Sequence, residues 1–313
     1  MKKIVIAGGS GFLGQTLAQW FLSRGDQVII LTRKKRKGLL GESVLWDGIN
    51  EGSWFTCLER ADALINLAGR SVNCRYHPSN RREIMESRTR STQILGKAVQ
   101  RCKAPPRLWL QSSTATIYLH RHDQANDEAF GIVGAHADAK DAFSVEVAKA
   151  WENAFNTLQV PSTRKILLRT AMVFGEQPGG VYHVLRRLVR FGLGGSMDGG
   201  QQWVSWIHAE DVCRALDWMI EKEKATGIYN LCAPVPLRNV EMMSWMRQIC
   251  RAPLGFGLPH PRFILELGAI LIRTETELVI KSRNVVPKRL LNEGFRFRFE
   301  TFDSMLRDIE KTL

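Results

Sequence analysis

The sequence predicts an α/β fold in which a doubly wound parallel sheet is joined by a smaller, mostly helical C-terminal domain. Three observations predict it. Short β-branched runs alternate with helix-length amphipathic stretches up to about Gly175, and right-handed crossovers turn that alternation into a parallel sheet. A glycine-rich turn separates the first run from the first helix. Beyond Gly175 the elements shorten, and glycine pairs at Gly179-Gly180, Gly194-Gly195 and Gly199-Gly200 interrupt them, which marks a change of architecture.

Taken in order, Lys3 to Ala7 read as a buried strand that stops at Gly8-Gly9-Ser10-Gly11, after which Leu13, Leu17, Trp20 and Phe21 recur at helical spacing. Gln27 to Thr32 form a second strand after the stop at Gly25, and Ala61 to Leu67 a third, ending in Asn66-Leu67-Ala68-Gly69. Leu95, Ala98, Val99 and Cys102 mark one face of a helix that ends before Pro105-Pro106. Arg107 to Gln111 lead as a strand into Ser112-Ser113-Thr114, and a long helix covers Asp138 to Thr157, with Phe143, Val147, Trp151 and Phe155 in one row. The strand Lys165 to Thr170 follows, and Ile228 to Leu231 read as one more strand returning to the sheet. Residues 1–178 with 204–234 therefore make the sheet domain, and residues 179–203 and 235–313 a smaller domain capping the substrate. In that second part Met242, Met243, Trp245, Met246 and Ile249 form an apolar patch, followed by Phe263, Leu265, Leu267, Ile270 and Leu271. A methionine and tryptophan stripe at this spacing is expected as core rather than as a ligand box.

Composition excludes whole classes. A chain of 313 residues with 44% apolar and 24% charged residues is neither disordered nor fibrous. Its net charge of +13 attracts phosphates, and part of it is local, in Arg33-Lys34-Lys35-Arg36-Lys37. No second basic stripe or aromatic platform accompanies that run, so a nucleic-acid partner is not expected. Six scattered cysteines without a C-x-x-C pair suit a reduced, cytoplasmic chain with no metal. The opening apolar run is too short for the core of a signal peptide, and no window approaches a membrane span.

Gly8-x-x-Gly11-x-x-Gly14 sits between predicted strand and predicted helix, the context that makes it a Rossmann-type dinucleotide turn. Small residues let the backbone approach a pyrophosphate, whose charge the free N–H groups and dipole of the helix start favour. At the end of the second strand an NAD site places a carboxylate for the ribose hydroxyls. Here Thr32 and Arg33 stand there, with no carboxylate until Glu42. A guanidinium pairs with a 2′-phosphate, so the expected cofactor is NADP(H). The last two or three residues of the basic run are expected to be solvated.

The glycine turn, Asn66-Leu67-Ala68-Gly69, Ser112-Ser113-Thr114-Ala115-Thr116-Ile117-Tyr118 and Arg169 ahead of Val173 and Gly175 fall in one order along the chain. In that order the chain resembles the extended short-chain dehydrogenases/reductases. More narrowly it is similar to the atypical "epimerase family protein" subgroup, nucleoside-diphosphate-sugar epimerase-like proteins with a C-terminal domain of unknown function. That likeness rests on Glu83-x-x-x-Ser87-Arg88, Trp151-Glu152, Trp206-Ile207-His208-x-x-Asp211, Gly227 to Pro234, and Val286-Pro287-Lys288-Arg289-Leu290 with Gly294-Phe295. It implies that the glycine turn from Gly8 through Ser10, Gly11, Phe12 and Leu13 to Gly14 lines the NADP(H) site together with Thr32, Arg33, Leu67, Ala68, Gly69, Glu83, Arg88 and Val173.

The resemblance also implies a Tyr-x-x-x-Lys pair on the long helix, a phenol whose proton moves beside a lysine that lowers its pKa. Here Phe143 and Val147 occupy those places. None of the four tyrosines, Tyr76, Tyr118, Tyr182 and Tyr229, has a lysine four residues on. Thr114 matches the hydroxyl that orients the substrate oxygen. Tyr118, four residues beyond it, is the candidate phenol, although relatives use a tyrosine there mainly for packing. Glu146 is expected to be solvated, His208 to cap a helix or bridge the domains, and His120-x-His122 to be a loop pair. The expectation is an NADP(H)-dependent oxidoreductase or epimerase-like enzyme acting on an unidentified small molecule; the alternative is a catalytically silent NADPH sensor or scaffold.

Overall fold

The computed structural model describes residues 1–271 and 275–313, the side chains of Ile270 and Leu271 excepted. Its first half runs β1 (Lys3–Ala7), α1 (Phe12–Ser23), β2 (Gln27–Thr32), β3 (Glu42–Leu45), β4 (Ala63–Asn66), α2 (Pro78–Arg101), β5 (Leu108–Thr114), α3 (Ala142–Asn156) and β6 (Arg164–Thr170). The chain continues through β7 (Met172–Phe174), α4 (Val181–Arg190), β8 (Trp203–Val204), β9 (Trp206–His208), α5 (Ala209–Glu221), β10 (Gly227–Leu231), β11 (Leu237–Arg238) and α6 (Asn239–Ile249). The helices α7 (Arg262–Leu271), α8 (Glu277–Ile280), α9 (Lys288–Asn292) and α10 (Phe302–Thr312) complete it.

Seven strands form one parallel sheet in the order β10-β6-β5-β4-β1-β2-β3. Ile4, Val5, Ile6 and Ala7 are all fully buried, as a strand covered by helices on both faces requires. Ile4 and Ile6 join Leu17, Phe21 and Leu216 on one side, while Val5 and Ala7 join Leu95, Trp109 and Phe155 on the other, the period of two expected of a strand. After β1 the chain builds β2 and β3 to one side, then crosses to β4, β5 and β6 on the other. The carboxyl ends of β1 and β4 therefore flank the crevice where such sheets bind ligands.

Most predicted elements form where the sequence placed them, including β10, which pairs in parallel with β6. Two differ. Helix α3 starts at Ala142 rather than Asp138, because Ala137–Ala139 form a separate 3₁₀ turn and Lys140, at φ 54°, leaves the right-handed region before the helix begins. β3 was not anticipated: its four residues are only half-buried or exposed, which gives no continuous apolar signal.

A second core gathers Tyr182, Leu185, Trp206, Met242, Met243, Met246, Phe302 and Leu306. The methionines of α6 are core, as expected, but Phe263 and Leu267 of α7 are 63% and 64% exposed; the side chains of Ile270 and Leu271 lie outside the described residues. Leu290, Phe295 and Phe297, near the end of the chain, pack back onto the sheet's own core. Among the described residues no helix is long and apolar enough to cross a membrane.

Candidate dinucleotide cleft and reaction centre

The glycine turn opens onto a cleft of about 600 Å³ along the carboxyl ends of β1, β2 and β4. Gly8 has φ +75°, and a Cβ there would lie 2.8 Å from the Cα of Ala68. Gly14 meets Gly9 so closely that a Cβ would sit 2.4 Å from the Gly9 Cα. These two glycines are needed by the protein itself. Gly11 differs: a Cβ would touch nothing within 4 Å, and Gly11 caps α1 with no side-chain hydrogen bond. Open space in front of uncapped first-turn N–H groups fits a bound phosphate.

The cleft brings together Gly8, Ser10, Gly11, Thr32, Arg33, Leu67, Ala68, Gly69 and Glu83 of the sequence-predicted set. Phe12, Leu13, Gly14 and Val173 lie behind it instead. The Phe12 ring fills the space beside Gly175 and Gly180, and Leu13 and Val173 pack against the sheet core. Arg88 stands behind Gly69, where a Cβ on the glycine would be 3.1 Å from its Cζ. Its guanidinium lies 5.1 Å from the Trp151 ring centre and donates to the Ile84 carbonyl at 3.0 Å. Burial without a carboxylate pulls it down to about 10.

At the β2 end, Arg33, Lys34 and Arg36 all line the cleft, and no ion pair joins any of them to a carboxylate among the described residues. Arg36 is exposed, as expected for the end of the basic run, and it also lines the cleft. Beside the β2 end the wall contains residues that sequence reasoning missed, Trp46, Asp47, Gly48 and Ile49. They follow the unanticipated β3, so nothing in the pattern marked them as the end of a strand. The Asp47 carboxylate accepts from the backbone N–H groups of Ile49 and Asn50 at 2.8 Å each, which holds it below the usual carboxylate range. Glu83 is paired with Arg70, and Glu86 with Arg90 at 3.1 Å.

The expected reaction centre lies outside that lining, where residues 275–283 of the C-terminal region hydrogen-bond to Tyr76, Ser144 and Thr116. Thr114 is half-buried at the end of β5, and its hydroxyl oxygen accepts from Thr116 N–H at 3.1 Å. Tyr118, the candidate phenol, is instead 1% exposed, its hydroxyl shared between Asn230 Oδ1 at 2.9 Å and the Asp127 carbonyl at 3.2 Å. Phe143 and Val147 are buried with Ile84 in a small apolar cluster. Tyr76 stands edge-on to Phe143, ring centres 5.0 Å apart, and its hydroxyl donates to Glu277 Oε1 at 3.2 Å. Ser144 donates to the same oxygen, and burial pushes the Glu277 carboxyl up. Beside them Lys281, 1% exposed, pairs with the fully buried Asp141 and donates to the Thr116 carbonyl. Asp141, Lys281, Glu277 and Tyr76 carried no sequence signal, since the contacts that define them join positions more than 130 residues apart.

The remaining candidates resolve as follows. Glu146 is exposed. His208 caps α5, accepting from Glu210 N–H at 3.1 Å, and lies 3.8 Å from Asp308 of α10, so it both caps and bridges. His120 and His122 meet edge-on with ring centres 4.9 Å apart, and the His136 ring lies 5.5 Å from that of His120, yet no group of three side chains placed to hold a metal ion exists among the described residues. Trp151-Glu152 and Arg169 are scaffold: Arg169 grips Glu152 with two hydrogen bonds of 2.9 and 2.8 Å, and Ser113 donates to the same carboxylate at 2.7 Å.

Comparisons with known proteins agree with this geometry. The family model "NAD dependent epimerase/dehydratase family" matches residues 4–232, and a "Domain of unknown function (DUF1731)" matches residues 260–309. The chain is 30% identical to the epimerase family protein SDR39U1 of Bos taurus over 98% of its own length and 99% of that protein's. It is 28% identical to the epimerase family protein YfhF of Bacillus subtilis, covering 98% and 97% of the two chains. A crystal structure of the human SDR39U1 protein with NADPH superposes with a TM-score of 0.83 at 26% identity, covering 99% of both chains. A sheet with its crevice at β1 and β4, an uncapped glycine turn, and a family match running from Ile4 to Cys232 converge on one assignment: the chain belongs to the NAD-dependent epimerase/dehydratase family.

Proposed function

We propose that the protein binds NADP(H) in the cleft and transfers a hydride between it and a small carbonyl or nucleotide-linked substrate, without a helix tyrosine–lysine pair. The observation that carries the cofactor choice is the cationic lip of Arg33, Lys34 and Arg36 facing the cleft, without an ion-pair partner among the described residues. An adenosine 2′-phosphate satisfies it, whereas a 2′-hydroxyl would leave three like charges together. Support comes from the human relative, which was crystallised with NADPH.

In this reading the residues from Gly8 to Gly14 receive the pyrophosphate, with Gly11 leaving the space and Gly8 and Gly14 setting the turn. Thr32 and Arg33 hold the adenosine end, Leu67, Ala68 and Gly69 line the middle with Glu83, and Arg88 and Val173 support it from behind. The nicotinamide supplies hydride, and Thr114 donates a hydrogen bond that orients the substrate oxygen. Tyr118 is assigned to packing. Six free thiols suit a reducing compartment such as the cytoplasm.

The second reading, an NADPH sensor or scaffold without turnover, is favoured by one observation: Phe143 and Val147 are well-packed core residues. The two separate by measuring NADPH binding by calorimetry beside NADPH oxidation with a carbonyl panel. Binding with turnover that Thr114→Val abolishes supports the enzyme; binding with no turnover supports the sensor. Absence of binding removes both.

A further inference from the structure

We propose that Tyr76 is the proton donor of the reaction centre, carried by the loop between β4 and α2 to the place where Phe143 lacks a hydroxyl, with Arg88 and Glu277 as its positioning residues. The inference rests on the hydride-transfer reading above and names the group that completes it.

Four observations carry it. Tyr76 is half-buried, whereas Tyr118, Tyr182 and Tyr229 are 0–1% exposed, so it is the one tyrosine a small molecule can reach. Its ring packs edge-on against Phe143, the residue standing where relatives carry their reacting phenol. Its hydroxyl is 3.2 Å from Glu277 Oε1, and Glu277 Oε2 is buried with no hydrogen-bond partner among the described residues. An oxygen sealed from water without a donor is a place to keep a proton. Finally, the half-buried Arg88 guanidinium, with no carboxylate partner among the described residues, interacts with the Tyr76 phenol; burial and Glu277 push that phenol up, and a nearby cation opposes the push, as lysine does in relatives. Arg81 and Glu275 hold the loop itself, through the Tyr76 carbonyl at 3.0 Å and the Tyr76 N–H at 2.7 Å.

The chemistry balances. When a carbonyl carbon accepts a hydride, its π pair moves to oxygen, the Tyr76 O–H bond breaks and that proton forms the new alcohol. The pair left on the phenolate lies beside Arg88. Glu277 returns a proton to the phenolate and regains one from solvent, so each turnover consumes one hydride and one solvent proton. Alcohol oxidation runs the same transfers in reverse.

Nitration with tetranitromethane supplies a probe that needs no substrate, because Tyr76 is the accessible tyrosine and a nitrophenol changes colour on ionising. The proposal expects nitration at Tyr76, a change in its absorbance on adding NADP⁺, and a midpoint that rises by about one pH unit in Arg88→Met and is restored in Arg88→Lys. A nitrophenol indifferent to NADP⁺, or a midpoint equal in wild type and Arg88→Met, overturns it. Turnover gives the second arm: with NADPH and 9,10-phenanthrenequinone, Tyr76→Phe loses about 100-fold in kcat while the KM for NADPH holds. Wild-type rates in Tyr76→Phe sink the role of Tyr76 alone, whereas a wild type that reduces no carbonyl sinks the hydride-transfer reading beneath it.

Discussion

The two ends of the candidate site are built by opposite rules. At the adenosine end the glycine turn and the β2 terminus come from the first 36 residues, the cations are exposed, and none of them is ion-paired with a carboxylate among the described residues. At the reaction end half-buried or buried side chains from the loop before α2, the turn after β5, α3, α8 and the residues just beyond α8 are tied together by hydrogen bonds that span the chain. The first end is left open for a ligand's charge; the second pairs Lys281 with Asp141 in the interior and leaves Glu277 Oε2 without a hydrogen-bond donor among the described residues. Binding can therefore be altered one residue at a time, whereas changes at the reaction end also alter the fold.

The largest test of that contrast is the Lys281–Asp141 pair. Both groups are buried, so Lys281→Met leaves an uncompensated carboxylate and should cost about 3–5 kcal/mol. Denaturant unfolding is expected to show a fall of that size, and the double variant Lys281→Met with Asp141→Leu should recover most of it. A loss under 1 kcal/mol in the single variant would show that the reaction end is not held by its buried charges.

Next in size is a pH effect where the C-terminal region closes on β9. His208 is 8% exposed, with Nε2 unpartnered and the ring 4.2 Å from Phe299. Burial lowers it to about 4, against roughly 6.5 in an unfolded chain. The unfolded state thus takes up the proton first. Stability is complete above pH 6.5, falls as pH drops through that window and levels off below about pH 4, by about 3 kcal/mol for this group. Melting temperature plotted against pH should fall more steeply for wild type than for His208→Gln over that window; equal slopes would mean the buried imidazole is not the cause.

Much of this fold was legible because its signals are local. The apolar run of β1 and the glycines after it lie within a dozen residues, and Arg33 follows β2 directly. The contrast between the ends explains what was missed. Lys281 reads in sequence as one more solvated lysine, and only the meeting of α8 with α3 buries it against Asp141. Tyr76 sits in a loop with no periodicity, and its neighbour Phe143 looked like plain core. Tyr118 looked close to the chemistry because it is four residues from Thr114, but the 3₁₀ turn at Ala115–Ile117 carries it into the body of the protein toward Asn230. Proximity along the chain was informative where a strand end meets a ligand and misleading where the backbone turns.

A smaller effect separates the cofactors. Arg33→Ala should weaken NADPH by about 30-fold, the scale of one charge-assisted hydrogen bond, and NADH by no more than about threefold. Titration by fluorescence at fixed ionic strength decides it, since steering by the whole +13 chain fades with salt. Equal losses for both cofactors would assign Arg33 to general attraction rather than to the 2′-phosphate.

The smallest effect sharpens the contrast most, because it asks whether the open end discriminates position or merely charge. Arg36 lines the cleft, while Lys35 and Lys37 are exposed outside it. All three carry the same charge, so a simple electrostatic lip would feel each loss alike. A shaped one would not. Arg36→Ala is expected to weaken NADPH by about fivefold at physiological salt, and Lys35→Ala by less than about 1.5-fold, since an exposed charge beyond contact is screened within about 8 Å. Equal and strongly salt-dependent losses in the two variants would turn the adenosine end into a diffuse cationic surface and leave Arg33 as its single specific contact.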